Sequence, residues 1–256
     1  KVLDKIDKDK FNLVSISKTK RKRRPYAPYT TSTLQQDASN RLGFSTKFTM
    51  QLAQQLYEGI DIGKEGTVGL ISYMRTDATR ISNEIVGESL KYIKDKYGDK
   101  YAGRGNTYSG KKKGSQDAHE AIRPTSIFRD PISLKTYLTD QQYKLYKLIW
   151  SRVVASQMAD YEYLSTAINF DNNGLIFRSN GKITLFDGFN KLYGSLDKEN
   201  ILPDLEEGEV ISAEKIIKDQ HFTNPPARYT EASLVKTLEE FGIGRPSTYS
   251  ATINQI

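Results

Sequence analysis

Cysteine is absent from the 256 residues, which removes disulfides, thiol nucleophiles and cysteine-based zinc sites. Histidine occurs twice, as His119 and His221, too few to hold zinc without carboxylate help. No run approaches the ~18 apolar residues that a membrane-spanning helix needs, and no apolar leader opens the chain. The expectation is a cytoplasmic globular protein with no membrane partner. Lys1 in place of methionine, and an end at Ile256 inside what reads as a new helix, point to a piece of a longer protein.

What is present fits a polyanion-handling protein with a real core. Hydrophobic residues make up 37% and charged residues 27%, a soluble composition long enough for one large domain or two to three small ones. The formal charge of +7 favours a polyanionic partner. The 16 tyrosines and 10 phenylalanines suit base stacking, and suit a core equally well.

Phe11 to Ser17 alternates apolar and polar side chains, as a half-buried strand does. Lys18-Thr19-Lys20-Arg21-Lys22-Arg23-Arg24 follows, six cations in seven residues. It reads either as a solvated loop or as a phosphate-contacting strip. From Thr31 the pattern turns helical. Ser32 or Thr33 can cap a helix carrying Leu34, Ala38 and Leu42, ended by Gly43. Ser45 can cap a second with Phe48, Leu52 and Leu56 on one face, and Ser82 a third with Ile85, Ile93 and Tyr97. Residues 99–118 read as a Gly-, Lys- and Ser-rich loop. Asp140 to Met158 is the strongest helix, with Leu145, Ile149, Val153 and Val154 on its apolar face and Trp150 beside them.

After Tyr161 the period becomes two. Tyr163 to Phe170, a turn at Asp171-Asn172-Asn173-Gly174, and Leu175 to Arg178 predict a hairpin, with further short strands to Ile217. This section and the opening strand can share one sheet, making 31–160 an insertion into a β domain. Thr230 to Ile256 reads helix, turn, helix: Thr230 caps a helix to Phe241, Gly242 ends it, and Pro246 sits near the first turn of the next.

Val68-Gly69-Leu70-Ile71 is an apolar run leading into Ser72-Tyr73-Met74-Arg75-Thr76-Asp77. If that segment is extended, Tyr73, Arg75 and Asp77 share one face at intervals of about 6.5 Å. A phenol is a weak nucleophile at neutral pH until its phenolate is favoured. An adjacent guanidinium can do that and can also neutralise a phosphate in the transition state. The product, a phosphotyrosine diester, would keep the bond energy for rejoining. The same spacing also describes a core tyrosine beside a surface Arg–Asp pair, or Asp77 as a helix cap.

His119 lies in Asp117-Ala118-His119-Glu120-Ala121-Ile122-Arg123-Pro124-Thr125 and can hydrogen-bond a phosphate or shuttle a proton. Arg123, one helical turn on, would face the same way. Near the end, Asn224-Pro225-Pro226-Ala227-Arg228-Tyr229-Thr230 precedes one helix and Gly242-Ile243-Gly244-Arg245-Pro246-Ser247-Thr248-Tyr249 opens another. Arg and hydroxyl side chains at helix starts make phosphate cradles, although capping and a tight turn explain the hydroxyls and glycines as well.

Together, Pro28-Tyr29-Thr30-Thr31-Ser32-Thr33-Leu34-Gln35-Gln36, Ile71 to Asp77, Ala118 to Pro124, and Pro225-Pro226-Ala227-Arg228 through Gly244 to Tyr249 resemble bacterial DNA topoisomerase I, a type IA enzyme. They stand in the family's order and near its spacing across residues 25 to 256. Met74 before Arg75 is closer to topoisomerase I than to topoisomerase III, which tends to carry proline there.

The resemblance implies that Tyr73 is the nucleophile that becomes linked to a 5′ phosphate of single-stranded DNA. It implies that Arg75 assists cleavage and that His119 helps position the scissile phosphate; Asp77, on the same face as Tyr73 and Arg75, is a candidate supporting residue by its spacing. Arg123, Arg228, Arg245 and Ser247 fall among the DNA-gripping residues. The implied fold is mixed α+β, part of a toroid. A β-rich arch would span 1–30 and 160–220, a mainly helical tyrosine domain 31–159, and the start of a helical DNA-gripping domain 221–256. The intact enzyme would relax negatively supercoiled DNA as a monomer, without ATP, using Mg²⁺ held in an N-terminal module that this segment lacks. The segment alone would bind no metal and would not relax DNA. The competing reading is a non-catalytic helix-turn-helix at 230–256 that, with the basic strip, recognises duplex DNA.

Overall fold

In a computed structural model the structure describes residues 2–108, 119–194 and 198–255. In chain order the elements are β1 (Phe11–Arg23), α1 (Thr31–Leu42), α2 (Thr46–Glu58), β2 (Ile60–Asp61), β3 (Thr67–Val68), α3 (Asn83–Tyr97), α4 (Pro131–Leu134) and α5 (Asp140–Ser156). There follow β4 (Tyr161–Asn172), β5 (Leu175–Phe186), α6 (Asn190–Tyr193), β6 (Val210–Ile211), α7 (Glu231–Glu240) and α8 (Tyr249–Ile253). The fold is mixed α and β, with an antiparallel sheet. The chain divides into two compact units: Lys1–Arg24, Asp160–Asn190 and Ser195–Pro226 in the first; Pro25–Ala159, Lys191–Gly194 and Ala227–Ile256 in the second.

The first unit is built on a four-stranded sheet in the order β5-β4-β1-β6. The opening strand and the later hairpin do share it, with Leu13 opposite Phe170 and Arg23 opposite Tyr161. The hairpin strands run longer than the alternation indicates, and the turn narrows to Asn173-Gly174, both with positive φ. That is the pair favoured in a two-residue turn whose twist matches the strands. Phe11, Leu13, Ile168 and Phe170 form the core here, and Phe11 meets Phe177 edge to face at 5.1 Å. Between the hairpin and Ile217 the described residues hold one further strand, β6, and a bridge at Asn200. The basic run is no loop: β1 carries it as regular strand as far as Arg23, because each residue from Lys18 on has a partner in β4.

The second unit is mainly helical. Thr30 caps α1, with its hydroxyl accepting from the Thr33 amide and the Thr33 hydroxyl accepting in return. The cap therefore lies two residues before the first expected, and Ser32 falls inside the helix, where its hydroxyl is free to donate to Glu239 at 2.6 Å. Ser45, Ser82, Thr139 and Thr230 cap α2, α3, α5 and α7. Leu34, Ala38, Leu52, Leu56, Ile85, Ile93, Leu145, Ile149, Val153 and Val154 are all buried, as their spacing requires. Phe48 is not; it stays on the surface against Phe44. Trp150 is buried with its indole N–H on the Ile127 carbonyl. α8 begins at Tyr249 rather than near Pro246, because the chain first closes a turn in which Thr248 donates its amide to the Arg245 carbonyl. Of the expected loop 99–118, Asp99–Tyr101 is a short 3-10 turn and 109–118 lie outside the described residues. Among the described residues no helix is long and apolar enough to cross a membrane.

Candidate active site

The segment carrying Tyr73 is pinned from both sides within the second unit. Upstream, the Leu70 amide donates to the Leu56 carbonyl at 2.7 Å. A Cβ on Gly69 would lie 2.8 Å from the Tyr57 carbonyl oxygen, so only glycine lets the chain pass this close to the end of α2. Ile71 bridges Pro124, the Ser72 amide donates to the Arg123 carbonyl at 2.8 Å, and the Ser72 hydroxyl donates to the Ala121 carbonyl at 2.7 Å. The same hydroxyl accepts from the Arg123 amide at 3.0 Å. Downstream, the buried Thr31 hydroxyl donates to the Met74 carbonyl at 2.7 Å and accepts from the Thr76 amide at 2.9 Å. The Thr31 amide donates to the Thr76 carbonyl at 2.9 Å.

Between these anchors the chain is not a continuous strand; it bends at Ser72 and Met74. Side-chain alternation nevertheless survives. Met74 and Thr76 are buried, Tyr73 and Asp77 are half-buried, and Arg75 is exposed. Side chains with polar ends thus face outward while the intervening ones fill the core.

Tyr73 has two ring neighbours. His119 lies 5.5 Å away, centroid to centroid, at an interplanar angle of 47°. Tyr57, from α2, meets it edge-on at 5.4 Å. Neither the Tyr73 hydroxyl nor Arg75 has a hydrogen-bond partner among the described residues, so both are available to a ligand. Asp117 and Ala118, which precede His119 in its motif, lie outside the described residues.

Arg123 differs from the expectation. Residues 120–124 are extended, with Ile122 bridging Tyr29 and Pro124 bridging Ile71, so Arg123 is not one helical turn from His119. Its guanidinium is held by Glu120, at 2.7 and 2.6 Å, and by the Pro124 carbonyl at 3.0 Å. Arg123 therefore braces the segment that carries His119. Glu120, being so engaged, is not a spare ligand, and no three described His, Asp or Glu side chains converge on a point that would hold a metal ion.

Arg228 lies in the exposed run before α7. Arg245 and Ser247 are exposed ahead of α8, and the Arg245 guanidinium donates to the Gly244 carbonyl at 2.8 Å. None of the three is hydrogen-bonded to Tyr73 or His119 among the described residues. One link ties this turn to the tyrosine motif: the Tyr249 phenol is pushed up by burial and then by the charge of Glu239, with Arg245 opposing and Asp77 adding to the rise. Asp77 and Arg245 thus both act electrostatically on the same phenol.

The sequence reading missed Thr31, Ser72 and Tyr57 as supports for Tyr73. It also missed a polar cluster beneath them. Asp37 accepts from the hydroxyls of Tyr29 (2.7 Å) and Tyr193, and Arg152 reaches Asp37, the Tyr193 hydroxyl and the Ala27 carbonyl at 3.4, 2.8 and 2.6 Å. Their separation in sequence left no local signal except Tyr29 standing beside the Thr30 cap.

The profile of the family described as DNA topoisomerase (Topoisom_bac) matches residues 1–256. The chain belongs to this DNA topoisomerase family. Among solved structures it is similar to full-length topoisomerase I from Thermotoga maritima, with 38% sequence identity and a TM-score of 0.87. That match covers 99% of this chain and 41% of the Thermotoga one.

Proposed function

We propose that this chain supplies the nucleophile of a type IA DNA topoisomerase, with Tyr73 attacking a phosphodiester of single-stranded DNA. The carrying observation is the half-buried Tyr73, whose hydroxyl has no partner among the described residues and whose ring lies 5.5 Å from that of His119, on a backbone held by Thr31 and Ser72. In the step, the phenolic oxygen bonds to phosphorus as it loses its proton. The bond from phosphorus to the 3′ oxygen breaks, and that oxygen leaves as a hydroxyl after taking up a proton. The 5′ phosphate stays on Tyr73, so reversal rejoins the strand without ATP.

Arg75, exposed and two residues away, is placed to neutralise the phosphate oxygens, and His119 to hydrogen-bond one of them. Asp77 supports this face. Arg228, Arg245 and Ser247 would hold the strand's phosphates, while Arg123 acts through Glu120 and the backbone. Relaxation of negative supercoils would then need a further module holding Mg²⁺. The ion would supply positive charge at the scissile phosphate, and this chain alone would not relax plasmid DNA. A monomeric, cytoplasmic enzyme completes the reading.

The helix-turn-helix alternative is not favoured. α7 turns Ala232 and Val235 inward, packs along α1, and anchors Glu231 on the Thr46 amide and Glu239 on Ser32. End-labelled single-stranded DNA, supplied with the magnesium-holding module, tests the proposal. A covalent adduct is expected with the unaltered chain and none with Tyr73→Phe; an adduct in that variant would refute it.

A further inference from the structure

The basic run of β1 has no part in the site around Tyr73. It forms the outer half of an edge. β6 covers that edge at Phe11 and Asn12. Beyond it, Leu13 exchanges backbone hydrogen bonds with Gly208 and Glu209 at 2.9 and 2.8 Å, and the Ile16 amide donates to the Glu207 carboxylate at 2.9 Å. Past Ile16, no described strand pairs with this side of β1. Amide direction alternates along a strand, so the outward amide of Ile16 sets the phase. The amides of Lys18 and Lys20 point to the same open edge, about 6.8 Å apart. That interval is close to the phosphate repeat of an extended nucleic-acid strand, and the Glu207 carboxylate at Ile16 is an anion already seated at the head of the series.

The side chains carry the same sign. Lys18, Lys20 and Lys22 share one face of the strand, and Arg21 and Arg23 the other. Counter-charge is sparse: Asp204 lies 3.7 Å from Lys18, both of them exposed, and Glu162 lies 2.5 Å from Lys22. Lys20, Arg21 and Arg24 are exposed and have no acidic partner among the described residues. Across the sheet from Arg21 stands Tyr163, with the Lys182 ammonium 4.4 Å over its ring and Tyr161 stacked at 5.4 Å. Lysine on an edge strand also deters strand-to-strand aggregation. Arg23 is half-buried, bound to Asn190 and stacked over Tyr161 and Phe189, but the exposed Lys18, Lys20, Arg21 and Lys22 still exceed that need and would repel a pairing strand of another copy.

We infer that the open edge of β1 from Lys18 to Arg24 is a second DNA-contacting surface, taking the phosphate backbone of a DNA strand on edge amides and flanking cations. It requires DNA as the partner but not the assignment of Tyr73. The test is fluorescence anisotropy of a labelled oligothymidylate with the full chain over a series of salt concentrations. Removing one cation that neutralises a phosphate of a single strand lowers the slope of log affinity against log salt by about 0.7. The Lys18→Ala/Lys20→Ala/Arg21→Ala variant is expected to bind more weakly, with a slope lower by roughly 2. An unchanged slope in the triple variant, confirmed as folded by circular dichroism, would overturn the proposal. Should that variant unfold, Lys20→Ala and Arg21→Ala singly carry the same test, each expected to lower the slope by about 0.7. An adduct persisting in Tyr73→Phe would refute the nucleophile and leave this surface standing, so the two failures are distinct.

Discussion

The hydroxyl of Thr31 donates to the carbonyl of Met74 at 2.7 Å, joining the first turn of α1 to the segment that presents Tyr73, 43 residues later in the chain. Because Thr31 also receives the Thr76 amide, one buried side chain holds the backbone on both sides of Arg75.

Thr31→Val keeps the shape and removes both bonds, leaving a buried carbonyl and amide unpaired. The expected loss of stability is about 1–3 kcal/mol, read by urea denaturation. Thr31→Ser retains the hydroxyl and should recover most of it. A variant as stable as the unaltered chain would show that the clamp is dispensable.

Tyr73→Phe should separate chemistry from stability. The hydroxyl has no partner among the described residues, and the ring contacts with His119 and Tyr57 are kept. Stability should therefore stay within about 0.5 kcal/mol while covalent attachment to DNA disappears. Calorimetry and adduct trapping on one preparation check both halves.

Arg152→Ala is expected to be among the most damaging substitutions away from the site. It leaves Arg41, 3.6 Å away, as the remaining cation beside the Asp37 carboxylate, and removes the cation lying over the rings of Tyr26, Tyr29 and Tyr193. The lost hydrogen bonds to the Ala27 carbonyl and the Tyr193 hydroxyl set the expected cost at about 1–3 kcal/mol. Because the Tyr29 backbone pairs with Ile122, hydrogen exchange at Ile122 should quicken in the same variant.

Alkaline pH should weaken the fold. Burial pushes the Tyr92 phenol up to about 12, and burial raises Tyr29 and Tyr146 still more strongly. The folded state thus holds these protons more tightly than the unfolded chain, whose phenols titrate near 10. Stability is complete below pH ~10 and declines as pH rises from there through about 12. Thermal melting across that window should show the decline, and Tyr92→Phe should soften it. A flat profile would contradict the burial of these phenols.

Local structure was legible wherever one stretch of chain decides it. The caps at Ser45, Ser82 and Thr230, the glycine ending α1 at Gly43, and the Asn173-Gly174 turn all depend on a few consecutive residues, and their positions follow from side-chain chemistry. For the basic run the sequence left a solvated loop and a phosphate-contacting strip as alternatives, because charge alone indicates solvent. It is strand because β4 lies in register opposite every position from Lys18 to Arg23 and bonds alternate residues, which no local pattern encodes.

The tyrosine motif divides in the same way. The order of residues alone put Tyr73, Arg75 and Asp77 on one side of an alternating segment with Met74 and Thr76 on the other, since alternation is a property of the backbone itself. Only the tertiary structure decided that His119 comes to the ring of Tyr73, that Arg123 is spent on Glu120, and that Thr31 and Ser72 hold the segment in place. Apart from the Arg123–Glu120 pair, which is local, those interactions around Tyr73 join residues roughly 40 to 50 positions apart. Closing such loops is set by the packing of the whole helical unit, and a spacing in sequence does not contain that information.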